Sequence, residues 1–298
     1  MKQQHAIITI RPILAPKIKS YMFTPGLIPE TTLPNGMKIF YRHEDEVQFL
    51  YCEMPTYFKN GIELHEGDTV FDVGANIGLF TLWVHQLCNK NVKVYAFEPI
   101  PDVFEVLCAN AQRFDPENLR VFPCGLSRES KTMTFAYHPN LTLCSTAYPA
   151  GSKEERDNIF KNPILRNLKD APSFIRHRLR WLPPFLRSLY LDSISRTAFQ
   201  IEQVSCQLRT VSEIVREYDV QHIDLLKVDV EKSELDVLLG IEEQDWPKIK
   251  QVVVEVHDLD NRVENITFLL KKYGLTKITV EQEPMLKGSD MFSLYALR

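Results

Sequence analysis

The stretch TVFDVGANIGLFTL, residues 69–82, restricts how this chain can fold more than any other. The apolar run TVFDV predicts a buried strand, and the apolar residues after Gly78 recur with helical spacing. Gly74 and Gly78, four residues apart, lie between strand and helix. A strand, a tight glycine loop and a helix in this order indicate an open α/β sheet whose ligand lies beyond the carboxyl end of the strand.

The rest of the chain continues this alternation of strands and helices. Further strands are predicted at 37–41, 92–98, 119–127, 131–137, 222–230, 250–257, 275–282 and 292–298, and helices at 44–58, 78–88, 101–114, 232–240 and 261–273. Strands joined by helices require right-handed crossovers and a mostly parallel sheet. The segment EPMLKGSD between the last two strands leaves no room for a helix, so we expect a hairpin with one antiparallel strand at the end of the sheet.

Composition predicts the domain boundaries. Residues 1–60 are predicted to be a proline-containing N-terminal arm followed by a lead-in helix, and 61–298 one α/β domain. Within that domain, 150–205 breaks the alternation and is predicted to be a partly helical insertion or lid. Residues 161–196 contain eight lysines and arginines against two aspartates, a net charge of +6, whereas the whole chain carries −4 and the remainder therefore −10.

The bulk properties exclude several classes of protein. A formal charge of −4 argues against a general nucleic-acid binder, and no apolar run is long enough to predict a membrane span. The six cysteines form no Cys-x-x-Cys pair, so we expect free thiols in a reducing cytoplasm rather than a zinc site.

The glycine loop favours one class of cofactor. A dinucleotide prefers Gly-x-Gly-x-x-Gly, which lets bare backbone approach a pyrophosphate, whereas this loop carries Asn76 between its two glycines. A ribose and an amino-acid carboxylate fit such a loop better, with the ribose on the carboxylate that ends the second strand and the ammonium near the aspartate of the first. We therefore expect S-adenosylmethionine (SAM) rather than NAD. The predicted cofactor residues are Asp72, Gly74, Asn76, Gly78, Glu98 and Pro99.

Four motifs together carry a family resemblance. DTVFDVGANIGLFTL, VYAFEPIP, IDLLKVDVEKSELDVLLGI and VVVEVHD resemble the FkbM family of class I SAM-dependent methyltransferases. The segments NLTLCSTAYPAG, EKSELDVL and EVHD are similar to the O-methyltransferase domains of polyketide and nonribosomal-peptide synthases. The resemblance implies a Rossmann-like, seven-stranded, mostly parallel sheet with an antiparallel last strand. Many relatives have glycine where this chain has Lys232.

The candidate catalytic residues follow the fourth and fifth strands of the predicted sheet. They are Asp229, Glu231, Glu255 and His257. His257 is the first candidate for the general base, because a neutral imidazole near pH 7 can take a hydroxyl proton; a purely structural histidine is the alternative. These carboxylates could also bind Mg²⁺, although we expect no metal.

The predicted function is O-methylation of a hydroxyl group on a polyketide or peptide intermediate, either free or tethered to a carrier protein. The alternatives are methylation of a free small molecule or sugar, and an inactive docking module that retains the fold. The arginine-rich segment 174–191 is compatible with a lid over the cofactor, a membrane-surface helix, or a platform for an acidic acyl or peptidyl carrier protein.

Overall fold

The computed structural model describes residues 28–149, 157, 161–169, 173–283 and 286–298. The predicted N-terminal arm lies outside these residues up to residue 27, as does most of 150–160. The strands are β1 (Glu30–Thr32), β2 (Lys38–Phe40), β3 (Thr69–Val73), β4 (Lys93–Phe97), β5 (Leu119–Phe122), β6 (Gly125–Leu126), β7 (Lys131–Tyr137), β8 (Glu202–Arg209), β9 (Leu225–Val228), β10 (Gln251–His257), β11 (Lys277–Glu281) and β12 (Met291–Leu297).

Helices connect most of the strands of the main sheet. They are α1 (Glu44–Glu53), α2 (Leu79–Leu87), α3 (Pro101–Phe114), α4 (Asn162–Arg166), α5 (Ser173–Trp181), α6 (Pro184–Ala198), α7 (Val211–Glu217), α8 (Glu234–Leu239) and α9 (Arg262–Lys272). The helix predicted for 44–58 stops at Glu53, and a 3₁₀ turn, Met54–Phe58, follows with Pro55 in its first turn. In the described part of the chain, no helix combines the length and apolarity needed to span a membrane.

Seven strands form the main sheet in the order β11-β12-β10-β9-β3-β4-β5. Pairs β10–β9, β9–β3, β3–β4 and β4–β5 are parallel. Strand β12 runs antiparallel to both β10 and β11, so the predicted hairpin lies at one end of the sheet. These features confirm the predicted α/β class with a seven-stranded, mostly parallel, Rossmann-like sheet.

Each face of the sheet buries a separate apolar layer. On one face, α1, α2 and α3 pack against the strands through residues such as Leu82 and Leu107. On the other face, α7, α8 and α9 cover an aromatic row that includes Phe71 and Phe97. Because both faces are covered, β3 is buried along its whole length, which explains why its sequence does not alternate.

A small second sheet, in the order β6-β8-β7, follows the main sheet. Strand β7 pairs antiparallel with β8, which the sequence pattern does not predict. Of the eight residues in EQVSCQLR, only Cys206 and Leu208 are buried, so alternation in β8 is too short to recognise. The predicted insertion therefore ends in a strand that returns the chain to the domain.

The described part of the insertion has an apolar core of its own. Residues Ile164, Ile175, Leu179 and Leu191, from α4, α5 and α6, are buried against one another. The C-terminal end of α6 is tied to the loop after β7, where Asn140 Nδ2 donates to the carbonyl of Thr197 at 3.1 Å.

Candidate active site

The strand order reverses beside β3, which places a crevice at the carboxyl ends of β3, β4, β9 and β10. The chain proceeds from β3 outward to β4 and β5 on one side, and through β9 and β10 on the other. In open α/β sheets, ligands bind at this reversal. The residues predicted for the cofactor and for catalysis lie in the last part of these four strands or in the loops and the helix start that follow them.

Gly74 allows the loops after β3 and β9 to approach closely. It has φ +77°, and a Cβ atom there would lie 1.7 Å from the carbonyl oxygen of Asp229. Position 74 therefore has no room for any side chain. Gly78, with φ +89°, precedes α2 and lies where a Cβ would be 2.7 Å from Leu107 Cδ1, which confirms that the helix packs closely at that glycine.

Asn76 occupies a left-handed conformation that usually favours glycine. Its φ is +49°, a region that asparagine tolerates because its short side chain bonds the local backbone. Here its Oδ1 accepts from the N–H of Ile77 at 2.8 Å, and its own N–H donates to Glu98 Oε2 at 3.1 Å. Asparagine therefore provides the turn conformation of a glycine together with a polar side chain.

Glu98, directly after β4, lies against the glycine loop. It is 6 % exposed, and its oxygens accept N–H groups of Asn76 and Ile100. Burial raises the pKa of this carboxyl to about 7, although the two N–H donors oppose the rise. Each oxygen can accept a further hydrogen bond, so the carboxylate suits the two hydroxyls of a ribose. Pro99 is half-buried and follows directly.

Asp72 is paired within the protein, and its role as an ammonium ligand stays a prediction. Its side chain is completely buried; Thr81 Oγ1 donates to one oxygen at 2.7 Å, and Lys227 Nζ lies 3.1 Å from the other. Lys227 also donates to the carbonyl of Gly74 at 2.8 Å. Asp72 and Lys227 therefore support the glycine loop from beneath.

Four carboxylates lie close together on the other side of the crevice. They belong to Glu53, Asp229, Glu231 and Glu255. Burial, reinforced by Asp229 and Glu231, raises the pKa of Glu255 to about 8. Burial also raises the pKa of Glu231 to about 7, although the charge of His257 opposes it. The cluster therefore shares protons near neutral pH.

Two side chains from the lead-in segment reach this cluster. Tyr57 Oη donates to Asp229 Oδ2 at 2.9 Å, and its ring packs edge-on against Phe80 with centroids 5.2 Å apart. Glu53, at the end of α1, faces Glu255 and Asp229, and burial raises its pKa well above the usual value. Nothing in the sequence around Glu53 indicates this role, because α1 is far from β9 and β10 in the chain.

His257 lies at the end of β10 with a side chain only 3 % exposed. Its Nδ1 lies 3.0 Å from Glu234 Oε1, and its Nε2 lies 3.4 Å from Glu231 Oε2. Burial disfavours the charged ring, but the hydrogen bond to Glu234 and the charges of Glu231, Glu234 and Glu255 outweigh it and raise the pKa of His257 to about 9. The raised pKa favours the imidazolium at pH 7 over the neutral ring expected of a general base, and the catalytic role of His257 stays a prediction.

The loop after β7 covers the crevice. Glu46 of α1 accepts from both the N–H and the hydroxyl of Thr142 at 2.6 Å. Thr146 Oγ1 donates to the carbonyl of Glu231. The loop is thus joined to both α1 and the turn that carries Glu231. Among the residues described, no three His, Cys, Asp or Glu side chains are grouped so that they could hold a metal ion.

Comparison with known proteins identifies the relatives of this chain. Residues 72–275 match the Methyltransferase FkbM domain. The chain is 37 % identical over 269 residues to 31-O-demethyl-FK506 methyltransferase FkbM of Streptomyces tacrolimicus, covering 89 % of this chain and 95 % of that protein.

Two further relatives differ in length. AMB antimetabolite synthetase AmbE of Pseudomonas aeruginosa is 31 % identical over 278 residues, 90 % of this chain but only 12 % of that protein. Methyltransferase sdnD of Sordaria araneosa is 29 % identical over 282 residues, 91 % of this chain and 96 % of that protein.

Proposed function

Since this chain belongs to the FkbM family of SAM-dependent methyltransferases, we propose that it methylates a hydroxyl oxygen of a polyketide or peptide intermediate. The FkbM relative named for a 31-O-demethyl substrate supports an oxygen acceptor, and the AmbE relative supports a synthetase context. The observation that carries the proposal is the position of the Glu231–His257 pair, which lies beside the glycine loop at the strand reversal.

The residues of the glycine loop fit SAM. The close approach at Gly74 leaves a turn of bare backbone, and Glu98 presents buried oxygens with free lone pairs beside it. We assign the ribose hydroxyls to Glu98 and the remaining cofactor contacts to the turn around Asn76 and Pro99. SAM supplies a methyl group on a positively charged sulfur, so this chain's residues must place the acceptor oxygen in line with that group and remove its proton.

We assign proton removal to Glu231. The raised pKa of His257 favours its imidazolium form at neutral pH, whereas the pKa of Glu231, about 7, matches the pH at which a general base is effective. The hydroxyl proton passes to the Glu231 carboxylate, and His257 stabilises that carboxylate through the 3.4 Å contact. Asp229, which accepts a hydrogen bond from Tyr57, and Glu255 complete the acidic surface that faces the acceptor.

An intact-mass assay tests the proposed reaction. We expect a hydroxyl-bearing acyl or peptidyl thioester to gain the mass of one methylene when incubated with the protein and SAM. Glu231→Gln, which keeps the shape of the side chain, is the matched inactive control. SAM binding without product on any hydroxyl acceptor, tethered or free, would instead identify a catalytically inactive module.

The surface of α5 and α6 supports a carrier-tethered acceptor. We define the α5–α6 face by Arg176, Arg178, Arg180, Trp181, Phe185 and Leu189, all of them exposed. The three apolar side chains are 75 %, 74 % and 62 % exposed, so they do not cover the crevice as a lid would require. Exposed arginines and apolar side chains on neighbouring helices, in a chain that is otherwise acidic, complement an acidic protein surface. We propose that this face binds an acyl or peptidyl carrier protein.

Charge reversal tests this partner. We expect the change of Arg176, Arg178 and Arg180 to Glu to raise KM for a carrier-bound substrate roughly tenfold at low salt, and less at 1 M salt, where the Debye length is about 3 Å. A free thioester analogue should be unaffected. Reversing the exposed Lys90, Lys93 and Lys271 is the matched control.

Two results would contradict carrier binding. An equal loss on the tethered and the free substrate would identify a lid. Unchanged KM with loss of binding to phosphatidylglycerol vesicles would identify a membrane-surface helix instead.

A further inference from the structure

Glu234 is a completely buried carboxylate that the reaction assigned above does not use directly. It begins α8, and its side chain is 0 % exposed. Arg262 Nη1 donates to its Oε2 at 2.8 Å, and the N–H of Lys232 donates to its Oε1 at 2.7 Å. A buried charge of this kind persists only when it is paired and fully hydrogen-bonded.

The same carboxylate fixes the ring of His257. Because Glu234 is paired with Arg262, it remains an acceptor, and the 3.0 Å contact is a hydrogen bond from the Nδ1–H of His257 to Glu234. The opposite nitrogen, Nε2, is then directed at Glu231 Oε2, 3.4 Å away. The orientation of the ring therefore depends on a carboxylate that is on the far side from the crevice.

Glu234 also fixes the turn that carries Glu231. Both Glu231, with φ +49°, and Lys232, with φ +81°, lie in the left-handed region, although neither is glycine. Two such residues in sequence cost on the order of 1–3 kcal/mol each and persist only when the surroundings determine the conformation. The hydrogen bond from the N–H of Lys232 to Glu234 is one of the contacts that hold the turn in this conformation.

We propose that Glu234, paired with Arg262, is a positioning residue for methyl transfer, holding the His257 ring and the Glu231 turn so that Nε2 faces the Glu231 carboxylate. This inference rests on the proposed function and deepens it. It joins three separate parts of the chain, namely the start of α8, the end of β10 and the start of α9.

Histidine NMR on Glu234→Gln tests the positioning without any need for turnover. The groups that face the His257 ring are Glu231, Glu234 and Glu255. Replacing the charged partner by a neutral one should lower the titration midpoint of His257, about 9 in the original protein, by at least one pH unit, while SAM affinity is unchanged. On an accepted substrate, kcat should fall roughly 10²-fold or more with little change in KM.

Two further variants complete the experiment. Glu234→Gln/Arg262→Gln removes both charges, so it remains informative if the single change leaves Arg262 unpaired and the protein unfolds. Asp236→Asn, in the same helix and paired with Arg128, is the matched control and should leave the His257 midpoint and kcat unchanged.

The outcomes separate this inference from the proposed function. An unchanged His257 midpoint in both variants that lack the Glu234 charge would overturn the positioning role, as would parallel losses of SAM affinity and kcat. Full turnover in Glu231→Gln would instead overturn the proposed base and leave the NMR result standing.

Discussion

The two sides of the crevice are built by different physical means. On the β3–β4 side, the shape comes from the backbone: Gly74 permits a contact that no side chain could occupy, and N–H groups hold Glu98. On the β9–β10 side, the shape comes from side-chain charges, with His257 between Glu231 and Glu234. The backbone side should therefore respond to changes of volume, and the charged side to changes of protonation.

The largest expected effect is that of Gly74→Ala. Its Cβ would overlap the carbonyl oxygen of Asp229, and alanine at φ +77° is strained, so we expect a loss of roughly 2–6 kcal/mol of unfolding free energy and loss of SAM binding. Denaturant unfolding measures this. Gly36→Ala is the control, since Gly36 has a similar φ of +84° but nothing lies within 4 Å of a Cβ built there. Equal losses in both would show that backbone strain, rather than the close approach, matters.

Removing the proposed base should have the next largest effect. We expect Glu231→Gln to lower kcat by roughly 10²–10⁴ with SAM affinity unchanged, because the amide cannot accept the hydroxyl proton. In the unaltered protein kcat should rise with pH through about 7, as the Glu231 carboxyl ionises. Exposed Glu243→Gln is the control. Turnover near the original rate would transfer the role to Asp229 or Glu255.

A smaller effect is expected for the ribose ligand on the backbone side. Glu98→Ala should weaken SAM binding by about 1.5–3 kcal/mol, through the loss of the hydrogen bonds between the carboxyl group and the ribose hydroxyls. Calorimetry measures the change, and the exposed Glu117→Ala should leave affinity unaltered. If Glu98→Ala binds SAM as tightly as Glu117→Ala does, then Glu98 stabilises the glycine loop and does not bind the ribose.

The smallest effect concerns the pH dependence of stability. The pKa of Glu255 is raised to about 8 in the folded protein from 4.5, so the folded state binds more protons and loses stability as pH rises through this window. The Tm should therefore fall between pH 6 and 8.5. The Tm should fall less in Glu255→Gln, because the amide cannot ionise. In the control variant Glu44→Gln, which changes an exposed carboxylate, the Tm should fall as much as in the original protein. A pH-independent Tm would show that the cluster is not buried as described.

The same contrast explains how much of the molecule could be predicted. The mostly parallel sheet and its terminal hairpin follow from local patterns of apolar residues, as do the tight turns at Gly74 and Gly78, whereas the number of seven strands came from the family resemblance. Helix α7 could also have been recognised, because Thr210 and Glu213 form a capping box of the spacing that marks a helix start.

The charge of His257 could not have been predicted in this way. It depends on Glu234, 23 positions away in the chain, and on Arg262 behind it. No local sequence pattern indicates that a histidine at the end of a strand will contact two carboxylates. Asp72 illustrates the same limit, because its pairing with Lys227 arises only when β3 lies beside β9.

The pairing of β3 with β9 has a consequence for how this fold can diversify. The N–H of Thr69 donates to Asp224 across 155 positions, so the sheet closes around a very long intervening segment. The entropy of closing such a loop grows only with the logarithm of its length, at about 0.6 kcal/mol per doubling. Changes of length confined to the excursion between β7 and β8 are therefore nearly neutral for the stability of the main sheet. Descendants of such a chain can vary this excursion while β4, β5 and the glycine loop remain as they are.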